Sequence, residues 1–380
     1  MWASPIEPSC CLLIRKTTLE NGGIHELASR LQISYSQEST HLLHLRVQSA
    51  GRLGRPTQTK ENTMLIACDN IDKLLCVEMR RPGLPRGFKW PLYEIARNRL
   101  SEPMVLAAAR LLDRPPSTVG IITGAAVPKH MPKGENDGPF GAVALARALN
   151  AIGHRSTVYT DAECAPAIIA LLARYEFDTP VVTVARKDDA EQEGIAEACD
   201  ILVAIERLGG NVNGNIHGVT GVSRDGERAN FDHLFAHAQH LGKPTIGIGD
   251  GGNEIGFGNI HSELSENWAQ YAAKDKTPCG GGIFTVVQTD VLVVASTSNL
   301  GAYAVIGALA MLRKDATLCH DPDEEVALHY IGVGLGLIDG GSGLNIPCCD
   351  GIPAESNAAV VRLIENIVEI TLLEKRERSF

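Results

Sequence analysis

The stretch from Thr118 to Asp161 decides the fold of this chain. It begins with "TVGIIT" (118–123), a short run of β-branched and apolar residues. It continues through "PFGAVALARALNAIG" (139–153), in which apolar residues recur with the period of a helix, and ends with "STVYTD" (156–161). Two apolar strands joined by a helix are typical of a β-α-β unit, whose strands lie parallel. The stretch therefore predicts a parallel sheet.

The same alternation of strand and helix continues along the chain. Further strands are predicted at "PVVTV" (180–184), "DILVAIE" (200–206), "PTIGIG" (244–249) and "DVLVVAS" (290–296). Strands that are nearly continuous in Val and Ile are buried on both faces, so helices must cover both sides of the sheet. The sequence therefore predicts an α/β protein with a mostly parallel sheet and helices on both faces, in a Rossmann-like layered architecture.

The first 60 residues differ in composition from the rest of the chain. They are rich in Ser, Gln, Thr and His, lack sustained periodicity and lead into the linker-like stretch "SAGRLGRPTQTKENT". We therefore expect residues 1–60 to be a poorly ordered N-terminal appendage and residues 61–380 to form the α/β catalytic domain. A chain that begins near Glu61 is expected to keep its activity.

The composition favours a small-molecule partner. The formal net charge is −10 at pH 7, and no basic block stands out that could neutralise the phosphates of a nucleic acid. No apolar run reaches the roughly 18 to 20 residues that cross a bilayer, so no membrane partner is expected. The ten cysteines form no C-x-x-C motif, which indicates reduced thiols in a reducing compartment.

Acidic residues follow three of the predicted strands. Asp161, Glu206 and Asp250 stand at strand ends, and open parallel sheets bind their ligands beyond the carboxyl ends of the strands. Glu135 and Asp137 lie in the loop "GENDGPFG" after the first strand. A helix N-cap would also explain Asp137, and a cap or turn would explain Asp161. For Glu206 a purely structural role is less expected, because a long acid that ends a buried strand rarely lacks a partner.

Four of the acids, Asp137, Glu206, Asp250 and Glu254, would repel one another in a shared cavity. Within ~5 Å and at an effective dielectric of ~20, each ionised pair repels by roughly 3 kcal/mol. Some acids are therefore protonated, or a divalent cation lies among them. Oxygen ligands favour Mg²⁺ or Mn²⁺, with Ca²⁺ as an alternative. On this view, Asp250→Asn relieves repulsion and leaves the metal-free protein at least as stable.

The stretch "GIGDGGNEIGFG" (247–258) contains a G-x-G-x-x-G pattern, which is found in dinucleotide-binding turns. Asp250 and Glu254 would repel a pyrophosphate at this turn. The acid expected about 20 residues later, at the end of a second strand, is also missing, because 261–274 has the pattern of a helix. The glycines are instead predicted to let the backbone fold tightly, so that Asp250, Asn253 and Glu254 face one cavity.

Two other groups of residues have simpler explanations. His233, His237 and His240 share one face of a predicted helix, where an exposed histidine face is expected and a metal site is the alternative. Asp339 and Asp350 lie in the glycine turns "LIDGGSG" and "CCDGIP". Turn chemistry alone would explain both acids.

Seven blocks of the chain occur in the order found in the D-glutamate cyclase family. They are "TGAAVP", "ENDGPFGAVALARALNAIGH", "VYTD", "AIERLG", "GDGGNEIGFGN", "SNLGAYAV" and "CDGIP". The chain resembles the C-terminal domain of that family over roughly residues 65 to 375. The block "GDGGNEIG" is the most specific of them.

The resemblance implies a lyase that converts D-glutamate to 5-oxo-D-proline. With the acid-rich cavity predicted above, Mn²⁺ or Mg²⁺ is the expected cation. It implies a mitochondrial matrix location, as for the longer animal members, and the cytoplasm is the alternative. Carried over by position, the functional candidates are Glu135, Asp137, Glu206, Arg207, Asp250, Asn253 and Glu254. The catalytic and metal-binding residues are predicted to be Asp137, Glu206, Asp250 and Glu254. The substrate-binding residues are predicted to be Glu135, Arg207, Asn253 and Asn299, with Arg207 on the substrate α-carboxylate.

Two other functions fit the same acids. A metal-dependent phosphoester hydrolase could use them to bind two cations and activate water. A non-catalytic module could use them to bind an amine or a cation. Release of phosphate from a phosphoester would favour the first, and binding without turnover would favour the second.

Overall fold

The sheet of this protein is parallel throughout its main body, as the sequence predicts. A computed structural model describes residues 57–80, 87–268 and 276–373. In that part of the chain six strands, numbered in chain order, form one sheet in the order 3-2-1-4-5-6, and all its neighbouring strands run parallel. This is the strand order of a doubly wound Rossmann-like sheet. The predicted appendage, residues 1–60, lies almost wholly outside the described residues and stays a prediction.

The elements follow one another with short connections. Before the sheet lie α1 (Thr57–Leu75), α2 (Lys89–Arg97) and α3 (Met104–Leu112). The sheet is built from β1 (Thr118–Ile122), α4 (Pro139–Ala151), β2 (Arg155–Thr160), α5 (Ala165–Leu172), β3 (Val181–Thr183), α6 (Asp189–Ala198), β4 (Ile201–Ile205), α7 (Asp232–His240), β5 (Thr245–Gly249), α8 (His261–Asn267) and β6 (Val291–Val294). After it come α9 (Ser298–Arg313), α10 (Pro322–Leu335), the small antiparallel pair β7 (Cys348–Cys349) and β8 (Ile352–Pro353), and α11 (Ala354–Leu372). A short 3₁₀ turn at Phe257–Ile260 precedes α8, and another at Ala316–Leu318 precedes α10.

Both faces of the sheet are covered, which β4 shows most clearly. Successive residues of a strand point to opposite faces. Ile201, Val203 and Ile205 belong to the larger hydrophobic core, which also contains the buried residues of α3, α4, α9 and α11. Leu202 and Ala204 belong to a second core, which contains buried residues of α6 and α7. The predicted arrangement of helices on both faces is confirmed.

Helix α9 lies at the centre of the larger core. It packs against α3, α4 and α11, and its residues from Ser298 to Met311 are all buried. Thr297 caps its N-terminus by accepting a hydrogen bond from the backbone N–H of Leu300. Because α9 begins directly after β6, this N-terminus lies at the carboxyl edge of the sheet. Within the described residues, no helix is long and apolar enough to span a membrane.

The direction of the chain reverses between β1 and β4. From β1 the chain moves outward through β2 to β3, and it then returns to the other side of β1 to form β4, β5 and β6. In doubly wound sheets the connections after these two central strands diverge and leave a crevice at the carboxyl edge. The sheet thus presents its standard ligand-binding position between β1 and β4.

Candidate active site

The acids predicted at the strand ends converge at this crevice. Asp137 lies in the connection between β1 and α4, Glu206 directly follows β4, and Asp250 directly follows β5. Glu254 is four residues further along the same loop. The structure brings the four together, and Asp161 lies apart from them in a pair described below. Their roles in catalysis and metal binding stay predictions.

Two overlapping groups of carboxylates could hold a metal ion. Asp137, Asp250 and Asp350 form one group, and Glu206, Asp250 and Glu254 form the other. In each group the possible ligand oxygens lie within 4.8 Å of one another. Oxygen-only ligands suit a hard divalent cation such as Mg²⁺, Mn²⁺ or Ca²⁺. Since Asp250 belongs to both groups, it lies at the centre of the site.

Asp137 is oriented by the N-terminus of α9. Its Oδ1 accepts hydrogen bonds from the backbone N–H groups of Gly138, at 3.0 Å, and Asn299, at 2.8 Å. Its Oδ2 accepts one from the N–H of Ser298 at 3.0 Å. The backbone N–H groups at a helix N-terminus have no hydrogen-bond partner within the helix and favour a nearby negative charge. This buried carboxylate is therefore held in one orientation, and capping of α4, the alternative explanation, is not its role.

Asn299 acts as a structural link beside Asp137. Its Oδ1 accepts hydrogen bonds from the N–H groups of Gly138 and Gly141 at 2.9 and 2.7 Å, and its Nδ2 donates to the carbonyl of Asn136 at 3.0 Å. Nδ2 also lies 3.5 Å from the sulfur of Cys349. An amide has two acceptor lone pairs and two donor protons, and these contacts use all of them. The structure thus assigns Asn299 to joining α9 to α4, and it leaves no free group for the predicted substrate contact.

Glu206 has a strained backbone conformation. Its φ angle is +51°, in the left-handed region that residues other than glycine seldom adopt. Its side chain accepts a hydrogen bond from Oγ of Ser298 at 2.5 Å. Such a conformation costs about 1–3 kcal/mol and persists where the surrounding structure enforces it, often at functional sites.

The glycine-rich turn binds its own glutamate. Oε1 and Oε2 of Glu254 accept hydrogen bonds from the N–H groups of Gly251, at 2.9 Å, and Gly252, at 2.8 Å. These are the donors that a dinucleotide turn would offer to a pyrophosphate. Gly252 has a φ of +101°, and a Cβ there would lie 2.8 Å from the ring of Phe284. The glycine is thus required for close packing, which supports the prediction of a tightly folded turn.

Two cations of the site were not predicted. Arg80 pairs with the carboxylates of Asp250 and Asp350, and it also donates to the carbonyl of Ser296 at 3.1 Å. Lys89, which is only 3% exposed, has its Nζ 2.5 Å from Oδ2 of Asp250 and bonded to the carbonyl of the same residue. Both come from the segment before the sheet. No spacing or motif in the sequence relates them to the acids. In the structure, a buried lysine such as Lys89 is expected to have a charged partner.

Asp350 is a further residue of the site that the sequence analysis did not identify. Turn chemistry explains Asp339, which accepts hydrogen bonds from the N–H groups of Ser342 and Gly351 at 3.1 and 2.9 Å. Asp350 lies in the turn between β7 and β8 with a φ of +51°, and its carboxylate reaches Arg80 and the acid cluster. The expectation that turn chemistry alone accounts for Asp350 is wrong, because the turn directs its side chain into the site.

The acids of the cluster differ in their affinity for protons. Burial, with a contribution from Asp250, raises the pKa of Glu254 to about 8. Burial likewise raises the pKa of Glu135 to about 8 and that of Asp137 to about 6. The pKa of Glu206 is raised well above its ordinary value by burial and by the neighbouring acids. Near neutral pH the metal-free cluster therefore contains protonated carboxyls.

Asp250 is the exception. Burial acts to raise the pKa of its carboxyl, but Lys89 and Arg80 outweigh burial and hold the pKa well below its usual range. An opposite charge within a few ångströms favours the ionised form of an acid. The site therefore combines one firmly ionised carboxylate with protonated neighbours.

Arg207 points away from this cluster. Its side chain is fully buried and forms an ion pair with Asp161, with an Nη1–Oδ2 distance of 2.6 Å. The guanidinium also donates to the carbonyls of Gly124 and Ala229 and lies 4.6 Å from the ring centroid of Phe231. These contacts explain both Arg207 and Asp161 as a structural pair that joins the ends of β2 and β4. These contacts of Arg207 are all within the protein, and its predicted contact with the substrate stays a prediction.

The remaining predicted substrate contacts lie at the edge of the cluster. Asn253 donates from Nδ2 to the carbonyl of His217 at 2.9 Å, whereas its buried Oδ1 has no hydrogen-bond partner within the described part of the protein. A buried polar atom of this kind is available to a ligand. Glu135 packs beside Gly340, where an added Cβ would lie 2.2 Å from its Oε2. Arg228 acts to lower the pKa of Glu135, which places a cation near it.

The three histidines of α7 lie elsewhere. Their ring centroids are 6.1 Å apart between His233 and His237 and 6.3 Å apart between His237 and His240. Nε2 of His233 lies 3.0 Å from a carboxylate oxygen of Glu193. His240 is exposed and the other two are partly exposed, in line with the predicted histidine face.

A cluster of buried acids at the switch point of a doubly wound parallel sheet defines a class of protein, namely an α/β protein with a candidate acid–base or metal-dependent active site. The family model described as "D-glutamate cyclase-like, C-terminal" matches residues 93–365. The chain belongs to this family.

One curated relative is similar to this chain over part of its length. It is the human protein named "D-glutamate cyclase, mitochondrial", which is 28% identical over 198 residues. The matching region covers 48% of this chain and 31% of the human protein. The chain thus spans about a third of the length of that relative, which is an enzyme by its printed name.

Proposed function

We propose that this chain catalyses the reversible cyclisation of D-glutamate to 5-oxo-D-proline with loss of water. Membership of the family and the name of the human relative support the reaction. The observation that carries the proposal is the pairing of an ionised acid with protonated ones. Lys89 and Arg80 keep Asp250 charged, and it lies beside Glu254, whose pKa is raised. Lactam formation needs both a proton acceptor and a proton donor.

The proton balance of the reaction explains this requirement. The α-amine attacks the carbon of the γ-carboxylate, an N–C bond forms, and one C–O bond breaks. The two protons that the substrate ammonium loses are the two that the departing oxygen gains as water. Glu254 and Glu206, whose pKa values are raised, are suited to accept a proton when ionised and to donate one when protonated. Asp250, which Lys89 and Arg80 keep ionised, is suited to hold a fixed negative charge. Because ring closure is intramolecular, the remaining task of the site is to hold a folded substrate conformer.

The negative charge of the substrate must also be offset. A carboxylate is a poor electrophile, and a bound divalent cation would supply Lewis-acid polarisation of its oxygen. Asp137, Glu206, Asp250, Glu254 and Asp350 fit such an ion, since they offer two oxygen-only groups with short separations. We propose Mn²⁺ or Mg²⁺ as the ion. Arg80, at the rim of the cluster, is the cation best placed to attract a substrate carboxylate.

Asn253 completes the proposed substrate site. Its unpartnered Oδ1 can accept a hydrogen bond from the substrate ammonium, since a buried acceptor without a partner costs about 1–3 kcal/mol. Glu135 would add negative charge on the same side once it loses its proton. This arrangement would favour an amino acid over a substrate that lacks an amine.

The substrate is tested by incubating the Mn²⁺-loaded protein separately with D-glutamate, L-glutamate, D-aspartate and p-nitrophenyl phosphate. We expect 5-oxo-D-proline from D-glutamate alone, resolved by chiral chromatography, and D-glutamate from added 5-oxo-D-proline, because one set of groups serves both directions. D-aspartate should not react, since it would form a strained four-membered lactam. The chelator-treated protein is the control. Phosphate release without lactam would replace the proposal with a phosphoester hydrolase, and binding without turnover would replace it with a binding module.

The location of the chain is proposed by analogy. The printed name of the human relative places that protein in mitochondria, and we propose the mitochondrial matrix for this chain. Recovery of the protein in the cytosolic fraction of its own cells would contradict this assignment.

A further inference from the structure

A cysteine, a histidine and an asparagine meet outside the acid cluster, on the loop after β4 and the loop before β6. Sγ of Cys279 lies 3.8 Å from Nε2 of His217. Nδ2 of Asn211 donates a hydrogen bond to this sulfur at 3.2 Å, and the backbone N–H of Gly281 donates another at 3.4 Å. A nucleophile with a neighbouring base and a third group that orients them is the arrangement of an activated thiol.

The hydrogen bonds of Asn211 determine which nitrogen of His217 carries a proton. The two protons on Nδ2 of Asn211 are directed to the carbonyl of Gly282, at 2.6 Å, and to the sulfur of Cys279. Nδ2 of Asn211 also lies 3.5 Å from Nδ1 of His217, but its two protons are used in the two shorter contacts, so we assign the ring proton to Nδ1, which faces the carbonyl of Asn215 at 3.4 Å. In the neutral ring the lone pair is then on Nε2. Since Nε2 faces the sulfur, His217 can accept the thiol proton.

Cys279 differs from the other described cysteines in its surroundings. Burial raises the thiol pKa to about 12 in four of them, namely Cys68, Cys76, Cys164 and Cys319. For Cys279 burial also acts to raise the pKa, but hydrogen bonds from Asn211 and Gly281 outweigh it and lower the pKa below 9. Its side chain is partly exposed. The thiolate is the reactive form of cysteine, and partial exposure gives a reagent access to it.

We propose that Cys279 is a modification site at which a hydroperoxide oxidises the thiol to a sulfenic acid. His217 takes the thiol proton, and the sulfur attacks one peroxide oxygen. An S–O bond forms and the O–O bond breaks. The leaving oxygen takes the proton from His217 and departs as water or an alcohol. The sulfur loses the two electrons that the peroxide gains, and a thiol reductant reverses the change by way of a disulfide.

The modification site borders the candidate active site. The backbone carbonyl of His217 accepts the hydrogen bond from Asn253, and a Cβ on Gly251 would lie 3.6 Å from the side chain of Val219 in the same loop. The loop that carries His217 therefore contacts the glycine-rich turn. The reactivity of the sulfur is nevertheless independent of which reaction the acids catalyse, so it is tested by mass and not by turnover.

The experiment exposes the full chain to limiting hydrogen peroxide in the presence of dimedone and maps the labelled peptides by mass spectrometry. Cys319 is the comparison thiol, because it is also partly exposed but its sulfur has no hydrogen bond to a histidine within the described residues and burial raises its pKa to about 12. We expect Cys279 to be labelled at least about tenfold faster than Cys319. Label on that peptide should disappear in Cys279→Ser and persist in Cys319→Ser. Equal labelling of the two thiols would overturn the proposal.

His217→Gln tests the role of the base. The substitution should slow labelling of Cys279 roughly tenfold while the rate at Cys319 stays unchanged. Because His217 is buried and the variant could fail to fold, the pH dependence of iodoacetamide labelling in the unaltered chain provides a second measurement. The labelling rate at Cys279 should reach half of its maximum at a pH below 9, and a midpoint at or above 9 would contradict an activated thiol.

Discussion

Asp250→Asn is expected to lower the rate of lactam formation by roughly 10²-fold or more and to lower the melting temperature of the metal-free protein. The first effect follows because the variant loses the acid that Lys89 and Arg80 keep ionised, and removing a single electrostatic group from an active site commonly costs 10²- to 10³-fold. The second follows because Lys89 and Arg80 would lose a buried partner. Breaking a buried ion pair from one side costs about 3–5 kcal/mol.

The stability effect has the opposite sign to the one expected from sequence. Repulsion among four acids predicted that Asp250→Asn would leave the metal-free protein at least as stable. The structure leads us to expect the opposite, since Asp250 faces two cations whose attraction outweighs its repulsion by the neighbouring acids. Calorimetry in chelator measures the melting temperature, and the D-glutamate assay measures the rate.

Asp290→Asn is the matched control for this variant. Asp290 is exposed, lies just before β6 at the amino edge of the sheet, and accepts hydrogen bonds from the backbone and hydroxyl of Thr245 at 2.7 and 2.9 Å. The same chemical change there should leave turnover within about twofold. Normal turnover in a folded Asp250→Asn variant would rule out Asp250 as the central acid of the site.

The fold and the position of the acids at the carboxyl edge of the sheet could be predicted, because both depend on local sequence patterns. Runs of Val and Ile identify buried strands, and parallel strands bring their carboxyl ends to one edge. Glu206 and Asp250 directly follow such strands, so their proximity needed no knowledge of distant contacts. The prediction of an α/β sheet and the convergence of the acids come from the same periodicity.

The cations of the site could not be predicted in this way. Lys89 begins α2 and Arg80 precedes it, more than 150 residues before Asp250. Their positions depend on how the segment before the sheet packs at its carboxyl edge, which no local pattern encodes. The ion pair of Arg207 could not be predicted for a related reason. Arg207 adjoins Glu206 in sequence, but Glu206 has a left-handed backbone conformation after the end of β4, and Arg207 meets Asp161 while Glu206 meets the cluster.

The metal-free protein is expected to lose stability as the pH rises from 7 to 8. Glu254 and Glu135 have folded-state pKa values raised to about 8 by burial, and burial also raises those of Glu206 and Asp350 well above their ordinary values. A carboxyl with a raised folded pKa binds its proton more tightly in the native state than in the unfolded state. Its contribution is therefore fully present below the unfolded pKa of about 4.5 and is lost as the pH rises through the folded pKa.

The charged groups around the cluster do not change this sign. Lys89, Arg80 and Arg228 face the acids from the segment before the sheet and from the loop before α7. Asp72, whose pKa burial raises to about 7, adds the same slope only below that pH. Each carboxyl that is protonated in the folded state but ionised in the unfolded state lowers the free energy of unfolding by about 1.4 kcal/mol for each unit that the pH rises. At least about 1 kcal/mol should therefore be lost between pH 7 and 8.

A divalent cation should reverse this loss, more strongly at pH 8 than at pH 7, because protons compete with the ion for the same oxygens. A ligand that binds only the native state stabilises it by about 2.7 kcal/mol at 100 times its dissociation constant. Melting temperatures in chelator, Mn²⁺, Mg²⁺ and Ca²⁺ at the two pH values test this without any assay of turnover. Glu254→Gln is the informative variant, since it removes one raised carboxyl and should make the pH dependence shallower. A melting temperature that rises with pH in chelator and does not respond to cations would contradict this prediction. It would show that the acids neither stay protonated near neutral pH nor bind a metal. The cluster would then be a purely structural network around Lys89 and Arg80.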